Sequence, residues 1–457
     1  MSSSSQIPSS AFRGASALDA ALRAVLTKDG YTDWEVRDDS DEERLPSKLS
    51  ASQAARVMYR LDAVYDASGV VNLEAVLARY DHILNDRSQL RLLKRDPGIE
   101  QRTPEWHEAR RALVTASDIA QALGQGKFGT QKEFVAKKVE PAPPPPRAGD
   151  PPSHFLTCPP LKWGTMFEDV ATAIYARRTG SRVYEFGLLP HPDPAVRIGA
   201  SPDGITDLGV MLEIKCPYRR PITGEVPMQY YYQIQGQLEV CRLRSCDYLE
   251  CEFSKYRNSD EFEIDVLDET DGVTPEKEEE ELDDIIDPPL LPRFGVGCNG
   301  REKGVIAEYC SEDGHNVYYK YGRVAPTGTE YRKWMRERLC DAADGGDADR
   351  SCFQMFHFWR LELISIVRVN RDDSMISDML KDVRDIWGRV LEFREDADAY
   401  ERYTKEGAKP ARLNATAAAT TLPSPPPPPS REAITAPSNN VESLIDYAFK
   451  VEGDEDD

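Results

Sequence analysis

The sequence predicts an α/β (α+β) chain in which helices alternate with short strands, with a helical region added at the N-terminal end and a disordered tail at the other. Three observations carry this reading. Apolar stripes at helical spacing recur, as in Val57, Leu61 and Val64 and again in Trp163, Phe167, Val170 and Ile174. Between them lie short runs with the two-residue alternation of strands, of which 210–216 is the clearest. No run of 18 or more apolar residues occurs, so no membrane span and no membrane partner are expected.

Taken in order, residues 1–15 open on MSSSSQIPSSAFRG, which lacks the apolar centre of a secretory signal and is expected to be disordered, a transit peptide being the alternative. Helices at 16–27 and 50–94 make 16–95 a helical N-terminal region. The main domain is expected to span 96–396. Its first helix, 104–123, opens at Thr103-Pro104 and breaks near Val114-Thr115. The next, 161–178, has Gly180 as its stop. Strands follow at 183–189, 196–200 and 210–216, then a helix at 227–242 with Pro227 at its start and a strand at 247–254. Further strands are expected at 303–309 and 316–323, and helices near 328–340, 350–367 and 373–396. The proline-rich run PAPPPPRAGDPP at 141–152 reads as a long loop, and 423–429 (PSPPPPP) lies in a disordered tail, 397–457. An apolar turn in that tail, Leu444 to Phe449, is an ordinary tail feature, with a docking peptide as the alternative. The acidic stretch 258–290, in which residues 261–287 hold 14 acidic residues and one lysine, repels itself and should be a solvated insertion. A regulatory mimic of nucleic acid is the sharper alternative.

The chain carries 57 Lys+Arg against 79 Asp+Glu in 457 residues, a net charge of -22, which excludes a uniformly basic nucleic-acid coat. The acidity is peripheral. Residues 101–260 hold 20 basic and 19 acidic residues, a balance of +1, leaving 37 basic and 60 acidic elsewhere. That central stretch is free to bind a polyanion. Nine cysteines without a CxxC pair or a Cys/His cluster point to reduced thiols in the cytoplasm or nucleus of a cell, an organelle being the alternative, and against a zinc site. Six histidines, none paired at ligand spacing, argue against a histidine metal centre, and His191 in its Pro-rich turn reads as structural. There is no P-loop pattern.

Chemistry concentrates in GASPDGITDLGVMLEIKCP, residues 199–217. Pro202-Asp203-Gly204 is turn chemistry and places Asp203 at a strand end. In the following strand Leu212, Ile214 and Cys216 face one way and Met211, Glu213 and Lys215 the other. Glu213 and Lys215 are thus roughly 7 Å apart at Cα on one face, and a hairpin returns Asp203 beside them. Two convergent carboxylates and a lysine suit phosphodiester hydrolysis. Mg²⁺ takes one or two carboxylates and a phosphate oxygen, and the lysine orients water and adds positive charge. An exposed Glu–Lys pair on a surface hairpin is the plain alternative. Glu168 flanks the buried stripe of helix 161–178 by about 100°. Tyr230, Gln233 and Gln237 share a face of helix 227–242 opposite Ile234, Leu238 and Cys241. Gln235 and Gln237 read as an ordinary polar surface. Trp106, Arg110, Arg111, Thr115 and Ser117 bring guanidinium and hydroxyl groups to one helical start, a combination suited to a terminal phosphate or else to surface capping.

The segments EWHEARRALVTASD (105–118), WGTMFED (163–169), GASPDG (199–204), LEIKCP (212–217) and YYYQIQGQ (230–237) resemble, in order and spacing, the phage lambda exonuclease / YqaJ-type viral recombinase family, a branch of the PD-(D/E)xK nucleases. The resemblance covers roughly 100–255. It implies a restriction-endonuclease-like core, a central mixed β-sheet flanked by helices, and a Mg²⁺-dependent 5′→3′ exonuclease acting on double-stranded DNA ends, with Mn²⁺ as the alternative metal. It further implies Asp203 and Glu213 as metal ligands, Lys215 as the residue positioning water, Glu168 as a helix-borne acid near the metal and Gln233 as the active-site glutamine. Arg110 and Ser117 would bind the 5′-phosphate. Implied partners are a single-strand annealing or single-strand-binding protein and further copies of the chain, a ring-shaped trimer in related proteins. The implied setting is viral recombination, repair or processing of replication intermediates. A structure-specific or nicking endonuclease on the same fold, and a catalytically silent DNA-binding scaffold, are the alternatives. The terminal-phosphate residues argue against the first and the intact charged set against the second.

Overall fold

Hydrophobic alternation in six residues around Glu213 organises a sheet that the computed structural model resolves together with its flanking helices. Residues 9–32, 34–36, 45–62, 73–127, 129–141, 157–266, 293–311, 316–343 and 351–405 are described. Most of the proline-rich loop, the acidic run from 267 and the tail from 406, including Leu444 to Phe449, lie outside them. Helices α1 (Ser9–Lys28), α2 (Ala51–Asp62) and α3 (Leu73–Arg95) come first. Then follow α4 (Pro104–Arg111), β1 (Val114–Thr115), a single 3₁₀ turn (Ala116–Asp118), α5 (Ile119–Ala122), α6 (Gln131–Val139) and α7 (Pro159–Thr179). Strands β2 (Val183–Tyr184), β3 (Leu189–Pro190), β4 (Ile198–Ala200), β5 (Gly204–Thr206) and β6 (Met211–Lys215) lead to α8 (Met228–Cys241) and β7 (Ser245–Lys255). The chain continues through α9 (Ser259–Ile264), β8 (Lys303–Ser311), β9 (Val317–Tyr321), α10 (Gly328–Ala343), β10 (Ser351–Asn370), α11 (Asp373–Glu395) and α12 (Ala397–Lys405).

Seven strands form one mixed sheet in the order β2-β5-β6-β7-β10-β8-β9. Strands β6 and β7 run parallel, joined by the crossover helix α8, and the remaining pairs are antiparallel. A small sheet, β1-β4-β3, lies beside it. On one face Leu212, Ile214 and Cys216 of β6 pack with Leu249, Cys251 and Phe253 of β7 against Met166, Phe167, Val170 and Ile174 of α7. Phe167 stacks on Phe253 with ring centroids 4.5 Å apart. On the other face Met211, Cys246 and Tyr248 meet Ile234 and Leu238 of α8, the 116–123 segment and α11. Helix α7 starts on two prolines, which need no backbone donor there, and ends on Gly180 in the left-handed conformation, φ +64. The expected mixed sheet flanked by helices is the observed architecture, and among the described residues no helix is long and apolar enough to cross a membrane.

Several expected elements differ. Residues 351–367, expected as part of a helix at 350–367, form none and belong to the 20-residue strand β10, paired with β8 along its first half and β7 along its second. Register shifts at Phe353/Met355 and Leu361/Leu363 break the two-residue alternation, so the apolar positions fall at intervals that imitate a helix, while the aromatic and β-branched content favours the strand. The span 183–189 divides between the two sheets as β2 and β3. The break at Val114-Thr115 is present as β1. Helix α1 begins within residues 1–15. The first residues of the acidic stretch fold as α9, capped by Asn258 onto the Glu261 amide, because Phe262 is fully buried among aromatic rings. Helix α12 continues the fold beyond 396, where Tyr403 packs 4.9 Å from Phe393. The eight described cysteines are free thiols.

The N-terminal helices are tied to the sheet by buried charge. Arg368 of β10, 4 % exposed, pairs with Asp247 of β7 and, at 3.1 Å, with Asp19 of α1. Asp19 also receives a fork from Arg79 of α3 at 2.6 and 2.9 Å, and Tyr175 of α7 donates to Asp247 at 2.7 Å. Burial raises the Asp19 carboxyl, but Arg79 and Arg368 outweigh it and hold it below its ordinary value. Replacing Arg368 by Met leaves Asp19 and Asp247 buried without their shared cation. The expected result is a loss of about 3–5 kcal/mol in urea denaturation at pH 7. Because the Asp19 carboxyl is depressed, the stabilisation it contributes is present above its unfolded value and is lost as pH falls towards the lower folded one.

Candidate active site

The turn 201–204 and strand β6 bring the charged residues together. Gly204 is required where β5 starts, since a Cβ there would meet Val183 Cγ1 at 2.4 Å. This close approach sets Asp203 beside β6, where its Oδ2 accepts from the Ile214 amide at 2.6 Å. Leu212 is paired with Gly204, so Ile214 lies beyond the short partner strand and Asp203 satisfies an amide that the ladder leaves over.

Glu213 is 0 % exposed. The Lys215 ammonium donates to its Oε1, and the Gln237 side-chain amide of α8 donates to its Oε2 at 2.9 Å. Lys215 also sits 5.0 Å over the Tyr230 ring, which stacks on Tyr248. Burial disfavours the ammonium, yet Glu213 and Asp203 outweigh burial and raise it above the usual lysine range, so it stays charged at neutral pH. Burial pushes the Asp203 carboxyl well above its ordinary value, and repulsion from Glu213 and Glu168 pushes it further. Burial raises the Glu168 carboxyl too, against the pull of Arg102 and Lys215. Three carboxylates, Asp203, Glu213 and Glu168, therefore act on one another around a single lysine.

Gln237, read from sequence as a plain polar surface residue, is instead buried against Glu213. Gln233, one turn earlier, is half-buried and makes no side-chain hydrogen bond among the described residues. Gln235 is structural, bridging Asn370 and Asp372. Sequence reasoning also missed Glu250, fully buried, which lies opposite Lys215 in register and accepts from Tyr248 at 2.9 Å and from Arg220. His191 is structural as expected, its Nε2 3.0 Å from Glu239.

Arg110 and Ser117 meet through Thr115. The Thr115 hydroxyl lies 3.2 Å from Ser117 Oγ and accepts from Arg110 at 3.5 Å, and the Arg110 guanidinium stacks 4.3 Å over Trp106. Trp106 Nε1 reaches Ser201 Oγ at 3.4 Å, linking this corner to the Asp203 turn. Ser117 is exposed and Arg110 half-buried.

Among the described residues no group of three or more His, Cys, Asp and Glu side chains has the arrangement of a metal cage. A site for Mg²⁺ needs less: one or two carboxylates, with water and substrate completing the shell. Asp203 and Glu213 fit that requirement. So does Gln237 Oε1, a buried acceptor without a partner that can receive a hydrogen bond from water.

Residues 105–244 match the family model of the YqaJ-like viral recombinase domain, in agreement with the resemblance carried by the sequence segments. Over 345 residues the chain is 24% identical to an uncharacterised protein of Acanthamoeba polyphaga mimivirus, an overlap of 71% of this chain and 58% of that protein. Over 181 residues it is 27% identical to a protein of African swine fever virus, covering 33% of this chain and 48% of the relative. The chain thus spans about half the length of the viral proteins it matches. Among solved structures it is similar to an alkaline exonuclease from Laribacter hongkongensis, with 18% identity, 66% of this chain and 97% of that chain covered, and a TM-score of 0.33. The same exonuclease in complex with dAMP gives 17% identity, 66% and 100% coverage, and a TM-score of 0.34.

The carboxylate cluster has a signature apart from catalysis. A carboxyl whose folded value is raised takes up a proton on folding, so its penalty appears as pH rises above the unfolded value of 3.8 and grows until the folded value is passed. Asp203→Asn keeps an acceptor for the Ile214 amide and removes one repelling charge. In metal-free buffer at pH 7 the variant should melt about 2–4 °C above the native chain. Added Mg²⁺ should raise the Tm of the native protein and leave that of the variant unchanged.

Proposed function

We propose that the protein is a divalent-metal-dependent deoxyribonuclease that degrades one strand of double-stranded DNA from its 5′ end. The observation that carries this is the fully buried Glu213 carboxylate held between Lys215 and Gln237, with Asp203 locked to the same strand. The match of residues 105–244 to a viral recombinase domain supports the reading. Asp203 and Glu213 would hold Mg²⁺, with Mn²⁺ as the alternative. When bound, the metal acidifies water and neutralises charge developing at phosphorus.

This chain's own residues do the rest. Lys215, kept charged, donates to the attacking water or to a phosphate oxygen and stabilises the negative charge that grows there. Its ammonium pairs with Glu213, one of the two carboxylates that would hold the metal. Gln237 orients Glu213 through one amide end and offers its free Oε1 to water. Gln233, on the same helical face and one turn nearer the start of α8, would donate to the scissile phosphate. Glu168 supplies a further acceptor at the cluster's edge. Arg110, Thr115 and Ser117 hold the 5′-phosphate, the guanidinium as a fork and the hydroxyls as donors. Such a corner beside the Asp203 turn favours end-dependent cleavage over nicking, because an internal phosphodiester has no terminal phosphate to seat.

A linear duplex with 5′-phosphate on one end and 5′-hydroxyl on the other, beside a covalently closed circle, tests this. Loss from the phosphorylated end, abolished by EDTA, is expected, with the circle left intact. Lys215→Ala should lower the rate by about 10²–10⁴-fold while the far-UV spectrum stays native and the Tm falls, because the buried Glu213 loses a partner. Arg110→Ala should erase the preference between the two ends. Cutting of the circle at the same rate would replace the exonuclease with an endonuclease.

A further inference from the structure

Beyond the carboxylate cluster, the same strand end carries a second feature that the hydrolytic chemistry does not use. Trp163 of α7 sits with its ring 5.4 Å from Tyr218, edge to face, and 4.6 Å from Phe167. The Lys255 ammonium lies 5.3 Å over the Trp163 ring, and the Arg219 guanidinium 5.1 Å over Tyr218. Tyr218 is 37 % exposed, and Arg219 and Lys255 are exposed. Neither cation has a carboxylate within ion-pair distance among the described residues. Lys255 contacts His357 Nδ1 at 3.1 Å, and the nearby Glu308 is already engaged by His357 at 2.7 Å and Lys162 at 2.6 Å. The indole Nε1 of Trp163 is buried without a partner. Aromatic faces interleaved with exposed cations that no carboxylate among the described residues holds in an ion pair match the chemistry of unpaired nucleotides: bases stack and phosphates pair with the cations.

Position narrows the assignment. Tyr218 follows Lys215 by three residues, and Lys255 lies five residues beyond Glu250, the register partner of Lys215. Both therefore project past the strand end that bears the carboxylate cluster. Trp163 belongs to the core on the α7 face of the sheet, whereas Val114, Ala116 and Ile119, which carry the Arg110–Ser117 corner, belong to the core on the α8 face. The corner and the aromatic pair flank the cluster from opposite faces. We propose that Trp163, Tyr218, Arg219 and Lys255 form a platform for single-stranded DNA, receiving the strand left unpaired as its complement enters the cluster towards Arg110. The strand assignment rests on the nuclease reading; the affinity for unpaired DNA does not.

The test uses the full chain in EDTA, so binding is read without cleavage. Fluorescence anisotropy follows a labelled oligothymidylate of about 20 nucleotides and a blunt 5′-phosphorylated duplex of equal length. The double variant Tyr218→Ala/Arg219→Ala, on an exposed loop, should weaken oligothymidylate binding by about tenfold or more, the scale of one lost base stack. Duplex binding should change far less. Lys255→Glu, on a different element, should also weaken the oligonucleotide and reduce the slope of log affinity against log salt by about one phosphate contact. Unchanged oligothymidylate affinity in both variants at native Tm, or an equal loss on duplex and single strand, overturns the platform. Capture of protein ligands in place of DNA would then be its alternative use. Cleavage by the native protein with Mg²⁺, measured separately, decides the nuclease reading whichever way the binding result falls.

Discussion

A carboxylate with no solvent exposure, Glu213, is the constraint around which the rest is arranged. Leaving water costs an ion several kcal/mol, which must be offset by partners fixed in place. One partner, Lys215, comes from the same face of the same strand. The other, Gln237, must come from a helix lying over that face, and a parallel β6–α8–β7 crossover supplies it. Parallel pairing of β6 with β7 is thus tied to the site: an antiparallel hairpin would need no helix there and would leave Glu213 without its amide. The same alternation that turns Glu213 and Lys215 towards α8 turns Leu212, Ile214 and Cys216 onto α7, so packing on one face holds the charges on the other.

The turn entering β6 is held from outside the sheet. Arg23 of α1 pairs with Asp207 at 2.7 Å, and Arg87 of α3, buried, donates to the Asp207 carbonyl at 2.7 Å and the Trp34 carbonyl at 3.1 Å. Gly209, at φ +74, is demanded twice, by its left-handed backbone and by Asp86, whose Cβ would lie 2.3 Å from any added side chain. Leu208 and Val210 complete an apolar cluster otherwise made of N-terminal residues. The N-terminal helices therefore act as a clamp on the hairpin that joins Asp203 to Glu213, and the spacing of those two carboxylates depends on residues far away in sequence.

What was legible from residues alone follows from period and range. The two-residue alternation of 211–216 is local and short, so the facing of Glu213 and Lys215 could be read without knowing any partner. The long stripe of α7, with prolines at one end and a glycine at the other, was equally plain. Gln237 was not, because its burial depends on which face of α8 meets β6, and neighbouring glutamines look alike on a helical projection. Gln235, two residues away, is buried for a different reason, holding the chain at Asn370 and Asp372. Strand β10 was illegible because two bulges reset its phase, and because a strand paired on both sides over 20 residues is specified by β7 and β8 more than by itself.

The Arg110 corner shows how a distant pair can prepare an anion site. Asp118, 6 % exposed, adjoins Ser117 and would be the natural partner of Arg110. It is taken instead by Lys138, 1 % exposed, at 3.1 Å and by Lys137 at 3.2 Å. Burial raises the Asp118 carboxyl, yet these lysines hold it at about 2, so it remains ionised and satisfied. Lys138 also donates to the Arg110 carbonyl at 2.6 Å, fixing the end of α4. Burial lowers the Arg110 guanidinium below its ordinary value, and the charge of Asp118 offsets this only in part. With one carboxylate among three cations, the corner is left with positive charge that no further carboxylate among the described residues pairs with, next to a serine hydroxyl open to solvent. A half-buried cation in that condition is stabilised by whatever anion binds, and a terminal phosphate matches both its charge and its hydroxyl neighbours.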